Sequence, residues 1–377
     1  MNNFIFQNPT KLVFGKGQIA KLKTLVPIQA KVMITYGGGS IFKNGVYDQV
    51  VAALDGHKFI EFGGIEPNPE FNTLMKAVEI ARAEGVDFLL AVGGGSVIDG
   101  TKFIATALKY EGDPWEFMLN ESKAVDAIPL ASVLTLPATG SEMNNGAVVS
   151  RRERDEKFAF HNPKAYPVFS ILDPEACYSL PKKQVANGIV DTFAHTLEQY
   201  LTLAEDNRVM DRWAESLLLT LVELAPSLMS DTLDYGDYAN YMLTATMGLN
   251  GFISMGATQD WATHMIGHEL TALHGLDHGH TLSIVYPALM KVMREPKEGK
   301  LRQYAKRVWH TENIDTAIDN TERFFRSLGM KTRLSENGIG DETITTIVER
   351  MRSRGWNLGE GGIVTPDNVQ KILETAK

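Results

Sequence analysis

The tetrapeptide Gly-Gly-Gly-Ser occurs twice, at 37–40 and 93–96, each time behind a short apolar run: Lys31–Tyr36 (KVMITY) and Asp87–Val92 (DFLLAV). Helical patterns follow both. Apolar runs of that length are strands buried on both faces, and strand–loop–helix repetition makes a mostly parallel sheet with crossover helices. The segments around them continue the alternation. Phe59–Phe62 and Ile128–Leu136 read as strands, and Leu74, Ala77, Val78 and Ala81 fall at helical spacing within Phe71–Glu84. From about Leu180-Pro181 the pattern changes to long helices: Val185–Leu203, Asp211–Met229, Tyr235–Met255, Trp261–Leu273, Thr281–Met293, Asp315–Leu328, Asp341–Arg352 and Pro366–Thr375. A chain of 377 residues exceeds one typical core. The expected architecture is an α/β domain with a Rossmann-like parallel sheet over 1–180 and an all-α domain over 181–377.

Glycine at the carboxyl end of a strand lets a ligand approach backbone N–H groups, and a helix N-terminus favours an anion such as phosphate. Each Gly-Gly-Gly-Ser is expected to open a helix in this way. In the second loop Ser96 and Asp99 have capping-box spacing, so Asp99 either caps the helix or lies beside a cofactor. The strand before Gly37 ends without Asp or Glu. A carboxylate there would bind ribose hydroxyls and repel a 2′-phosphate, whereas Gly37, Gly38 and Ser40 leave room and a donor, so NADP(H) is the expected dinucleotide. A third polar loop, Thr135–Glu142 (TLPATGSE), either offers hydroxyls to the cofactor or is an ordinary connection. Lys157 reads as a solvated lysine.

Five of the nine histidines lie between Trp261 and His280: His264, His268, His274, His278 and His280. Asp191 and His195 form a separate acid–histidine pair. Asp191/His195, His264/His268 and His274/His278 are each i,i+4, which places both members on one helix face about 6 Å apart along the axis. Imidazole and carboxylate donors suit zinc and other first-row divalent ions, and one ion takes only about four of them. His57, His161 and His310 read as ordinary hydrogen-bonded or surface residues. His268-Glu269 fails as a metalloprotease motif because Ala272 stands where the second histidine belongs. No Lys or Arg occurs from Gln184 to Leu203 or from Met255 to Met290, and Phe193, Leu197, Trp261, Met265 and Leu276 stand nearby instead. A small, neutral, rather apolar substrate fits that setting better than a phosphorylated one.

A net charge of −9 argues against nucleic-acid and polybasic membrane surfaces. Cys177 is the only cysteine, so no intrachain disulfide forms and a reducing compartment is expected. The N-terminus lacks a secretory pattern, and no apolar run reaches the ~20 residues needed to span a bilayer. These features point to the cytoplasm.

Asp191-x-x-x-His195, His264-x-x-x-His268 and His278, downstream of Gly93-Gly94-Gly95-Ser96-x-x-Asp99, resemble the iron-dependent (group III) alcohol dehydrogenases over essentially the whole chain. FGGIEPNP, LLAVGGGSVIDGTKFIA, LTLPATGSE and QDWATHMIGHELTALHGLDH look closest to the NADPH-dependent aldehyde reductase, butanol-dehydrogenase-like branch. The resemblance implies a dehydroquinate synthase-like architecture, with Asp191, His195, His264 and His278 binding zinc or iron in the cleft between domains. It implies that Gly93, Gly94, Gly95 and Ser96 bind the pyrophosphate, and that Asp99, Thr135, Thr139 and Lys157 line the cofactor. It further places the adenosine 2′-phosphate at Gly37, Gly38 and Ser40, Leu180 on the nicotinamide side, and His268 near the substrate. The implied activity is hydride transfer between NADP(H) and small aldehydes or primary alcohols by a homodimer. A glycerol-type or dehydroquinate-synthase-type relative, and a metal- and nucleotide-binding protein without chemistry, are the alternatives. The chain has Met143-Asn144-Asn145-Gly146 where some members have Ser-Asn-Ala after Gly-Ser-Glu.

Overall fold

A computed structural model describes residues 1–203 and 206–377. The chain divides into two compact units: Gln7–Pro181 with Leu233–Thr246, and Met1–Phe6 with Lys182–Thr232 and Met247–Lys377. Relative to a single cut after Leu180, two short segments change sides.

In the first unit the elements run β1 (Lys11–Phe14), α1 (Leu22–Leu25), β2 (Lys31–Tyr36), α2 (Val46–Ala53), β3 (Lys58–Phe62), α3 (Phe71–Glu84), β4 (Phe88–Gly94), α4 (Gly95–Ala107), α5 (Trp115–Leu119), β5 (Leu130–Leu136), β6 (Gly146–Arg151), β7 (Glu156–His161) and β8 (Phe169–Leu172). Six strands form one all-parallel sheet in the order β1-β8-β5-β4-β2-β3, and β6-β7 is a separate antiparallel hairpin. From β2 the chain moves outward to β3, and from β4 it moves the other way to β5. The order therefore reverses between β2 and β4, where crevices in such sheets take ligands. Both glycine loops leave the sheet there.

The two loops are built differently. Gly93 and Gly94 still belong to β4, with a register slip opposite Leu134 and Leu136 that bulges Thr135 out of the ladder. The helix α4 starts directly at Gly95 with Gly94 as N-cap and no side-chain cap, so neither Ser96 nor Asp99 caps it. Glycine is needed here for packing: a Cβ on Gly95 would lie 2.4 Å from Thr139 Oγ1. The first loop does not open a helix. Gly39 takes a left-handed φ of 92°, a single 3₁₀ turn covers Ser40–Phe42, and α2 begins only after Gly45 (φ 75°) breaks the chain direction again.

The second unit is helical: α6 (Lys182–Tyr200), α7 (Arg208–Leu228), the last residues of α8 (Tyr235–Gly248), α9 (Ala262–His274), α10 (His278–Val292), α11 (Glu298–Val308), α12 (Ile314–Ser327), α13 (Asp341–Ser353) and α14 (Pro366–Thr375). Its core joins Ile266 and Leu270 of α9, Ile284 and Val285 of α10, Ile347 and Val348 of α13, and Val369 and Ile372 of α14. Most of α8 belongs to the α/β unit for specific reasons. The Tyr241 hydroxyl donates to Pro137 O at 2.6 Å, the Thr246 hydroxyl to Glu142 Oε1 at 2.5 Å, and Tyr238 packs edge-on against Tyr178. Among the described residues no helix is long and apolar enough to cross a membrane.

The packing of the second glycine loop is testable. Gly95→Ala should destabilise the chain by about 1–3 kcal/mol through overpacking against Thr139, whereas Gly38→Ala, which meets nothing within 4 Å, should change stability by less than about 0.5 kcal/mol. Urea unfolding midpoints of the two variants decide this.

Candidate metal centre and cofactor loops

Asp191 and His195 lie one turn apart in α6, His264 in the first turn of α9, and His278 at the start of α10. One donor atom from each of the four lies within 4.8 Å of all the others. Asp191 Oδ1 is 3.5 Å from His195 Nδ1, 3.9 Å from His264 Nε2 and 3.6 Å from His278 Nε2. Donors sharing a tetrahedral ion at arms of about 2.0–2.2 Å stand about 3.3–3.6 Å apart, so these separations suit coordination better than direct hydrogen bonding. The set, three imidazoles and one carboxylate, fits zinc or ferrous iron and does not choose between them. Asp191, His195 and His264 are buried, and His278 is the most open at 22% side-chain exposure.

Close helix contacts assemble the group. A Cβ on Gly279 would lie 2.4 Å from the Asn187 carbonyl oxygen, so only glycine lets the start of α10 approach α6 and bring His278 to Asp191. Gly267 makes a similar contact with Thr281 across α9 and α10, where a Cβ would lie 2.7 Å from the hydroxyl. Sequence reasoning passed over both glycines, since a glycine inside a helical pattern looks only like a weak former.

The remaining histidines separate. His268 is buried one turn beyond His264, its ring 5.4 Å from that of His278. His274 bonds the Thr343 hydroxyl at 2.9 Å, and burial lowers the basicity of both His274 and His280. His57 and His161 have ordinary partners, Val26 O and Glu121. Glu269 is held by Arg350 and Arg354 of the α13 region.

Two sequence readings are corrected here. Phe193 and Leu197 are fully buried, Phe193 against Phe324 and Phe325, so they are core and not a substrate wall. Met265 and Leu276 pack against the helical core cluster. Trp261 meets the centre, its ring 5.1 Å from His264 and 6.0 Å from His195. The basic-residue gap also narrows in space: Lys183 reaches Asp277, next to His278, and pairs with it at 2.6 Å.

In the α/β unit, Lys157 is buried and donates to Asn68 Oδ1 at 2.8 Å, which overturns its reading as a solvated lysine. Asn68 sits at a φ of 56° between two prolines. Asp99 accepts from the Ser141 hydroxyl at 2.6 Å and the Val148 N–H at 3.0 Å, and burial pushes its carboxyl up. The sequence reading missed Lys102. Fully buried, its Nζ donates to Ser141 Oγ, Asn144 Oδ1 and Gly146 O at 2.8–2.9 Å, and burial pushes it down to about 8. Lys102 thereby ties the Thr139–Gly146 loop to α4, and Asn144 is one of its anchors. Thr139 lies over Gly95, Ser40 and Gly38 are exposed, and Leu180 closes a turn onto Cys177 O just before α6. A carboxylate does stand on the strand next to β2: Glu61 of β3, which accepts the hydroxyls of Tyr36 and Tyr47.

The family described as iron-containing alcohol dehydrogenase matches residues 9–174, and the C-terminal part of the Fe-containing alcohol dehydrogenase family matches residues 185–377. The chain is 51% identical to the NADPH-dependent aldehyde reductase YqhD of Escherichia coli K12, with 100% of both sequences covered. It is 40% identical to a probable NADH-dependent butanol dehydrogenase of Bacillus subtilis, again over 100% of both. The crystal structure of E. coli YqhD matches with a TM-score of 0.98, covering 100% of this chain and 99% of that one. NADH-dependent butanol dehydrogenase A of Thermotoga maritima matches with a TM-score of 0.95 at 36% identity, with the same coverage. The fold is the dehydroquinate synthase-like one these structures share, a parallel α/β region followed by a helical region.

Asp191→Asn removes the one carboxylate among the four donors. Zinc binding to the metal-free chain, read by calorimetry, should weaken at least about 100-fold, and Gly279→Ala should weaken it about 10-fold by displacing His278.

Proposed function

We propose a function from one premise: the chain belongs to the iron-containing alcohol dehydrogenase family. It is a metal-dependent, NADP(H)-linked aldehyde reductase and alcohol dehydrogenase acting on small neutral aldehydes such as butyraldehyde. The observation that carries this is the convergence of Asp191, His195, His264 and His278 in a chain 51% identical, end to end, to an NADPH-dependent aldehyde reductase.

The α/β region, 1–180 by the sequence boundary, serves as the dinucleotide carrier. Gly93, Gly94, Gly95 and Ser96 receive the pyrophosphate at the uncapped start of α4. Asp99, Thr135, Thr139 and Lys157 line the cofactor, and Leu180 touches the nicotinamide side. Gly37, Gly38 and Ser40 take the 2′-phosphate, supported by the lack of an acid at the end of β2 and by the engagement of Glu61 with two tyrosines. The helical region, 181–377, holds the metal.

When bound, the divalent ion supplies Lewis-acid polarisation of a carbonyl oxygen, and the nicotinamide supplies the hydride. The side chains do the rest. Asp191 contributes the one negative charge among the four donors. Trp261 covers one side of the imidazoles and keeps water from them. His268, buried beside His278, carries on a ring nitrogen the proton that the product alcohol oxygen acquires. Aldehyde, NADPH and a proton thus become alcohol and NADP⁺.

We place the chain in the cytoplasm as a homodimer. A single buried cysteine suits a reducing compartment. For the dimer, support comes from the exposed Phe4, Ile5, Phe6 and Phe14 and from β1 being an edge strand.

With butyraldehyde present, the enzyme should oxidise NADPH, lose that activity on complete chelation and regain it with zinc or ferrous ion. Activity untouched by full metal removal would overturn the reading. Ser40→Asp should raise the KM for NADPH by about 10–100-fold and leave that for NADH far less changed, because a carboxylate repels the 2′-phosphate. Initial rates with the two cofactors decide it.

A further inference from the structure

Glu198 lies on α6 with the metal donors, three residues past His195, and is fully buried. Its Oε1 accepts the main-chain N–H of His264 at 3.1 Å and lies 3.2 Å from the ring Nδ1 of the same residue. Because that oxygen already accepts the main-chain N–H, the matching tautomer has its proton on Nδ1, which leaves the other ring nitrogen, Nε2, facing Asp191.

A buried lattice of charge holds Glu198 in turn. The Asp260 N–H donates to the Glu198 carbonyl at 2.9 Å. Lys297, 2% exposed, reaches Asp260 Oδ2 and Leu201 O, both at 2.6 Å. Asp260 also accepts the N–H groups of Ala262 and Glu360 at 3.1 and 3.3 Å. Pinned on its N-terminal side, Trp261 takes a left-handed φ of 66°, uncommon and costly for a bulky residue, and its ring lies against His264 and His195. Closing the first turn of α9 requires only a neutral acceptor, and burying a carboxyl is expensive. An acid at this place serves the imidazole: a carboxyl behind a ligating histidine fixes its tautomer and strengthens it as a donor.

We propose that Glu198 is a positioning residue of the metal centre, orienting His264 through Nδ1 and itself held by the Asp260–Lys297 pair. This rests on the metal-dependent function proposed above. E198Q keeps size and an acceptor oxygen but removes the acid. It also leaves Asp260 and Lys297 as a balanced pair, so the metal-free protein should melt at or above the parent temperature. Its zinc affinity, from competition with a chromophoric chelator, should fall about 10–100-fold. The visible bands of the cobalt-loaded protein should shift. Glu198→Asp, which keeps the carboxyl but shortens the reach, should also weaken zinc binding, and serves if E198Q does not fold. E198Q binding zinc as tightly as the parent overturns the proposal, as does a loss of metal-free stability with zinc affinity unchanged. If the parent chain binds no zinc, the metal-dependent function fails first. If the parent binds and E198Q matches it, only the positioning role fails.

Discussion

At Gly279 the Asn187 carbonyl oxygen occupies the place where a side chain would begin, 2.4 Å from any Cβ. That contact lets the first turn of α10 meet α6, and the convergence of Asp191, His195, His264 and His278 depends on it. Three helices must bring four polar groups to one point inside a helical unit, and each pays desolvation to arrive. The gain comes from the apolar cluster behind them, where Ile266, Leu270, Ile284 and Val285 pack with residues of α13 and α14. The core sets the helices, and the small residues at their crossings set how near the donors come.

Several buried charges in both units stand in company. Lys297 stands with Asp260 and Glu198, and Lys102 with Asp99 and Glu142. Burial pushes the Glu198 carboxyl up, Asp260 adds to this and Lys297 opposes it; Lys102 is pushed the other way, toward neutrality. Such groups add little net stability, since desolvation consumes much of the attraction, but removing one partner strands the other. What they secure is geometry: Lys102 fixes the polar loop over α4, and Lys297 fixes the segment that starts α9.

Much of the architecture was legible because its signals are local. KVMITY and DFLLAV became β2 and β4, and the helices carrying Asp191, His195 and His264 fell within a few residues of their periodic patterns. Short or unpatterned pieces escaped: β1 and β8 at four residues each, the β6–β7 hairpin, and α11, whose many charges hide Leu301, Tyr304, Ala305 and Val308 at helical spacing. The first glycine loop misled because a strand followed by glycines and an apolar stretch looks the same whether it opens an α-helix or a 3₁₀ turn. Positive φ at Gly39 and Gly45 made the difference.

Local pattern specifies the succession of a parallel α/β region and a helical region, the pairing of Asp191 with His195 on one helix face, and the clustering of candidate donors after Trp261. These follow from periodicities of two and 3.6 residues, which act within a segment. Long-range packing alone brings His264 and His278 to Asp191 while His274 turns to Thr343. Only it made Phe193 and Leu197 core, buried Lys157 and Lys102, and set Glu198 behind His264. Those outcomes depend on how closely helices far apart in sequence approach one another. Side-chain volume at their crossings controls that distance, and no local pattern encodes it.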